Sequence, residues 1–191
     1  MHKRLLCLLL FLIGCSLAQA NRGDIISTVV VRDWDPQEAR ENYWNIIAGM
    51  IPQSERETFR GEFGSIMDEL MAGKRIVSYR VIYKTIDHYG NPTQASGLVL
   101  LPVHDGKTCE MPIFYYGHGT AFERYSIPSR PENWGVESFF AYFPAALNFI
   151  SVAPDYYGMG DGPGFHHHNS AQTNSTSGID LIRAARKLAT Q

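Results

Sequence analysis

The chain has 191 residues, 45% of them hydrophobic, and its 17 lysines and arginines against 19 aspartates and glutamates give a formal net charge of −2. That balance excludes the basic face that nucleic-acid binding needs, and the length suits one folded unit of ordinary size. With only three cysteines a disulfide-stapled scaffold is excluded too, so the fold must rest on apolar burial.

Residues 1–20, "MHKRLLCLLLFLIGCSLAQA", read as a secretory signal peptide: a charged start, an apolar run over 5–14, and a small-residue cleavage site at Ala18, Gln19 and Ala20. The run is too short to span a bilayer, and no later stretch reaches about eighteen uninterrupted apolar residues. Leu12, Ile13, Gly14 and Cys15 also resemble a lipobox, so lipid anchoring through Cys15 competes with cleavage after Ala20 and release. Cleavage removes Lys3 and Arg4 and no acid, which takes the net charge to −4, and leaves Cys109 as the lone cysteine. Arg22, Gly23 and Asp24 spell an adhesion-like tripeptide, read as chance in a mobile new terminus.

Residues 21–74 read as a helical lead-in: an extended entry and two helices. Asp35, Pro36 and Glu38 carry the signature of a capping box, with Tyr43, Trp44, Ile46 and Ile47 following. Ser54 and Glu57 repeat that signature before Phe59, Phe63, Ile66, Met67 and Leu70 at helical spacing, and Gly73 ends the pattern. These aromatic and methionine residues form a packing face rather than a ligand box.

From Arg75 the period becomes two. Val77, Tyr79, Val81 and Tyr83 share one face of a strand, "HYGNPT" supplies turn chemistry, and "QASGLVLLP" runs back, which makes a β-hairpin. "PIFYYGHGT" is a short apolar strand that breaks into His118, Gly119 and Thr120. Residues 136–147 read as a helix despite Pro144, and "NFISVAPDY" as a second buried strand ending at Asp155. A final helix over about 170–191 puts Ile179, Ile182, Ala185 and Ala189 on one face and Asp180, Arg183 and Lys187 away from it. Strand and helix alternating after a hairpin imply an α/β fold with a parallel core.

Between Asp155 and this helix lie a glycine-rich run and three adjacent histidines, His166, His167 and His168. Neighbouring side chains of one segment cannot all meet one tetrahedral ion, and no GxxxxGK[ST] or GxGxxG is present for phosphate. A loop or entrance role fits better than a metal site, which would need ligands from elsewhere.

Taken in order, the hairpin, "YYGHGT", a helix, "SVAPDYYGMGDGPGF" and "IDLIRAARKL" resemble the amino-terminal half of an α/β-hydrolase, in its secreted lipase and esterase branch, over residues 76–191. The resemblance implies an incomplete α/β-hydrolase sheet, a β-hairpin then parallel strands with crossover helices, in a domain over 75–191 preceded by two helices. It implies carboxylic ester hydrolysis on small-molecule or lipid ester substrates, with no cofactor, no metal and no nucleic acid.

Such chemistry needs backbone N–H groups at a strand end to stabilise the tetrahedral oxyanion. By position the donor is Thr120, with Gly119 allowing close approach and Ala121 as a substitute; the plainer reading of Gly119 is a sharp turn. His118 has the chemistry of a general base, but in the resembling family the base lies far down the chain, so His118 shapes the oxyanion turn. Asp155 is likewise not the family's acid and organises the loop after it; His118, Asp155 and Tyr156 are the substrate-side candidates.

No GxSxG elbow occurs in the 191 residues, and in the resembling fold its strand follows the final helix. The expectation is therefore a domain truncated before the nucleophile, a fragment inactive alone whose partner is a missing carboxyl-terminal half. The alternative is an exported, non-catalytic binding or interaction protein on the same framework.

Overall fold

The computed structural model describes residues 21–103, 110–133 and 138–190. Residues 1–20, read above as a signal peptide with Cys15 in it, and Cys109 lie outside them. The extended entry is a full strand, β1 (Ile25–Trp34), that pairs antiparallel with β2 (Arg75–Ile86). The two lead-in helices are α1 (Pro36–Met50) and α2 (Arg56–Met71). β3 (Pro92–Val103) closes the hairpin in unbroken register from Arg75↔Val103 to Ile86↔Pro92. Then come β4 (Ile113–Tyr115), α3 (Ser138–Ala146), β5 (Ile150–Pro154) and α4 (Ala171–Leu188). Strand order is β1-β2-β3-β5-β4, with β5 antiparallel to β3 and parallel to β4. Among the described residues the parallel core is this single pair, in a mixed five-stranded sheet.

The strand period sorts side chains to two cores. Ile76, Leu98, Leu100 and Ala153 face α1, α2 and α3, where Tyr43, Trp44, Met71 and Tyr142 are buried. Val81, Tyr83, Val99 and Val152 face Leu181, Ala184 and Ala185 of α4. At Gly97 a Cβ would stand 2.6 Å from Leu181 Cδ2 and 3.0 Å from the Ala153 oxygen, so α4 and β5 both close on the bare backbone there.

The first capping box forms as the sequence indicates. Asp35 Oδ1 accepts from the N–H of Gln37 (2.8 Å) and Glu38 (2.9 Å), and Glu38 accepts from the Asp35 N–H. Replacing Asp35 with alanine is expected to cost about 1 kcal/mol in urea-induced unfolding. The second box does not form. Ser54 sits inside a 3-10 turn, Gln53–Glu55, that leads into α2, and the Glu55 position before the helix makes no side-chain cap. These groups are exposed, so water can serve the donors that the cap would have satisfied.

Two expectations about the final helix are overturned. Its buried face is Thr173, Ser177, Gly178, Leu181, Ala184, Ala185 and Leu188, while Ile179 is 48% exposed and Ile182 half-buried. Asp180 points inward because three partners satisfy it: Arg22, Thr85 Oγ1 and Arg183. The same contacts overturn the mobile terminus. Arg22 holds Asp180, Asp24 lies between Lys84 (3.3 Å) and Lys187 (2.6 Å), and at Gly23 a Cβ would meet Arg183 Cβ at 2.4 Å. The tripeptide is a clamp of the segment before β1 onto β2 and α4.

Candidate active site

Because β4 and β5 run parallel, the segments leaving them emerge at the same end of the sheet. The Tyr116 N–H reaches the Val152 oxygen at 2.9 Å, and the chain then turns through Gly117, His118, Gly119 and Thr120. His118 is buried and its ring stacks on Tyr156, centroids 4.5 Å apart, while the Tyr156 hydroxyl donates to the His118 oxygen at 3.2 Å. At Gly117 a Cβ would meet that hydroxyl at 3.1 Å, tighter than side chains normally pack. Tyr156 takes a left-handed φ of 70°, which swings its ring over the turn. His118 Nδ1 lies 2.8 Å from the Gly119 oxygen; a carbonyl only accepts, so Nδ1 carries the proton. The turn therefore brings His118, Gly119, Thr120 and Tyr156 together, with His118 bonded to the backbone of the turn itself.

The turn opens into a pocket of about 270 Å³ whose wall includes His118, Gly119, Thr120, Ala121 and Ser126. Among the described residues no acceptor takes the backbone N–H of Gly119, Thr120 or Ala121. Gly119 and Thr120 are exposed.

Asp155 stands under the next loop, wholly buried. It accepts from the Ser129 N–H (2.9 Å), the Ser129 hydroxyl (2.6 Å) and the Ser96 hydroxyl (2.5 Å), and Ser96 Oγ accepts in turn from the Asp161 N–H. Burial pushes its carboxyl up to about 6, against the pull of those donors and with the Asp161 charge adding to the rise. Two arginines continue the tie. Arg124 donates to the carbonyls of Gly160 (3.1 Å), Gly162 and Gly164 (3.4 Å), and Arg130 pairs with Asp161 at 3.1 Å, which also meets Arg80. The glycine-rich run is thus laced to the segment that follows the turn after β4. Sequence reasoning missed Arg124, Ser129 and Ser96, whose partners lie 26 to 65 residues away.

The histidines belong to the packing of this run. His166 Nδ1 lies 3.0 Å from the Tyr157 oxygen, and burial holds its imidazole below the ordinary value. His166 meets His168 edge to face, while His167 stacks parallel to Tyr157 and lies 4.3 Å from His88. Gly158, at φ 80°, has the His166 nitrogen 2.3 Å from where a Cβ would stand. Among the described residues no three His, Cys, Asp or Glu side chains are grouped to hold a metal ion.

Solved structures share this fold. A candidate hydrolase from Legionella pneumophila superposes with a TM-score of 0.64 at 29% identity, over 87% of this chain and 39% of its own. The rice cell wall degrading esterase LipA from Xanthomonas oryzae superposes with a TM-score of 0.64 at 20% identity, over 88% of this chain and 38% of its own.

The fold is a partial α/β-hydrolase fold.

The chain thus spans about two fifths of the length of these two hydrolase structures. No family model and no curated protein sequence matches it. On this α/β-hydrolase framework the candidate pocket sits at the sheet end where β4 and β5 finish, as ligand sites of open α/β sheets do.

Proposed function

We propose that residues 75–191 form the oxyanion side of an exported carboxylic ester hydrolase whose nucleophile, acid and histidine lie outside these 191 residues. The observation that carries this reading is the backbone of Thr120. Its N–H has no acceptor among the described residues, and Thr120 lines the pocket after β4, where this fold keeps one of its two oxyanion donors. Gly119 lets substrate approach the backbone, and His118 and Tyr156 fix the turn so that the donor is aimed before substrate arrives. Asp155 acts on the loop through Ser129 and takes no proton from substrate. The substrate is a small-molecule or lipid ester, and no cofactor enters. Export rests on the leader-like first twenty residues, with release after Ala20 or anchoring through Cys15 as the two routes.

The test uses the protein from its native source, captured with an antibody to residues 75–191 and treated with a fluorophosphonate, which marks activated serines. The expected result is a labelled protein longer than 191 residues, its modified serine inside a GxSxG pentapeptide that follows Gln191. An unlabelled protein that ends at Gln191 overturns the reading and favours the exported binding protein on a hydrolase framework.

A further inference from the structure

Helices α1 and α2 form a hairpin that contributes no lining residue to the pocket described above: α1 packs on β1, β2 and α3, and α2 packs on α1. Between them runs a groove of about 190 Å³. Its walls are apolar. Trp44 and Ile47 of α1 and Phe59 of α2 line it, with Trp44 and Phe59 edge to face at 6.2 Å. Phe59 stacks on Phe63 at 4.5 Å, and Phe63, 42% exposed, carries the apolar surface outward.

The rim is cationic. Arg60 lies over the Trp44 ring at 5.5 Å, and Arg56 commits its Nε–H to the Ile51 oxygen at the end of α1. Among the described residues neither guanidinium is ion-paired, although Glu57 also lines the groove. Elsewhere on these helices the outcome differs, since Arg40 of α1 pairs with Asp68 of α2. Two guanidinium forks beside an apolar slot are complementary to a carboxylate on an alkyl chain, because a guanidinium presents paired N–H groups to the two oxygens. Size sets the class. At about 190 Å³ the groove lies below the usual volume of a drug-sized pocket, which limits the ligand to a small amphiphile.

We propose that this groove binds a medium-chain alkyl carboxylate, its chain against Trp44, Ile47 and Phe59 and its head on Arg56 and Arg60. The site is distinct from the ester-hydrolase pocket and holds whether or not that reading does, although a hydrolase of medium-chain esters would release such a ligand.

Calorimetric titration of the full chain with octanoate tests it, with octanol as the uncharged control. Octanoate is expected to bind with one saturable site and octanol about tenfold more weakly or worse, since a charge-assisted contact is lost. Arg60→Gln and Arg56→Gln are each expected to weaken octanoate about tenfold with the far-ultraviolet dichroism unchanged, and Glu57→Gln to strengthen it. Both arginines and Glu57 are exposed, so these variants leave the fold in place. Equal binding of octanol, octanoate binding indifferent to both arginines, or no binding at all overturns the proposal.

Discussion

Asp180→Ala is expected to lower the stability of the fold by about 3–5 kcal/mol, the range seen when one partner of a buried charge pair is removed. The Asp180 side chain is fully buried and its two oxygens receive four contacts: Arg22 Nε at 3.1 and 2.9 Å, Thr85 Oγ1 at 2.8 Å, and Arg183 at 2.7 Å. Arg183 is 46% exposed and can turn to water, so its share is small. Arg22 is 14% exposed and has no such freedom, and Thr85 is buried with its hydroxyl facing the vacated space. Alanine therefore strands one cation and one hydroxyl and releases the segment before β1 from α4. Urea unfolding of the variant beside the parent measures the loss. Arg22→Met separates the contributions: it removes the cation but leaves Asp180 with Thr85 and Arg183, and is expected to cost less than Asp180→Ala. A loss below about 1 kcal/mol for Asp180→Ala, the size of an exposed ion pair, contradicts this account.

The same residue marks the limit of what the sequence discloses. Helical spacing gives α4 correctly but not its rotation, because the wheel treats every aspartate as outward, and the partners that reverse this stand 158 and 95 residues away. β1 hides for a related reason. Val29 and Val30 are about half exposed on an edge strand, so its apolar run has no clean alternation to announce it. What is decided within a few residues reads directly: the Asp35 cap, the hairpin and its turn, and the break after "IFYY" that makes the candidate pocket. In that turn Asp87 accepts from the N–H groups of Tyr89 and Asn91, and Gly90 takes φ 85°. Ser54 fails as a local signal because Pro52 starts a 3-10 turn that carries the chain past the capping position. The lacing of the glycine-rich run by Arg124, and of Ser129 onto Asp155, joins loops that no local pattern relates.

That lacing carries a pH dependence whose direction is fixed by Asp155. Its folded-state value, about 6, lies above the ordinary 3.8 because burial disfavours the charged form more than Ser129 and Ser96 favour it. A raised carboxyl value means that the folded state holds its proton more firmly than the unfolded chain does. The contribution to stability is therefore fully present below about pH 3.8 and is lost as pH rises through about 6. The interval between the two values corresponds to about 3 kcal/mol. Asp24, Asp33 and Asp87 act in the opposite sense, held low by lysines, by Arg75 and by the Asn91 turn, so what they contribute is lost only as pH falls below the ordinary range. Asp155→Asn isolates the buried group. Its amide oxygen can keep the Ser129 N–H, its NH₂ can donate to the two hydroxyls by turning them into acceptors, and nothing titrates. The stability of Asp155→Asn relative to the parent is expected to rise by about 2 kcal/mol between pH 4 and pH 7, measured by urea unfolding at half-unit steps. A difference that stays flat or falls would mean that Asp155 is ionised throughout, with its three donors outweighing burial. At neutral pH the parent thus keeps a costly buried carboxylate, and what that charge provides is an acceptor for three donors that ties Ser129, just beyond the pocket, to the end of β5.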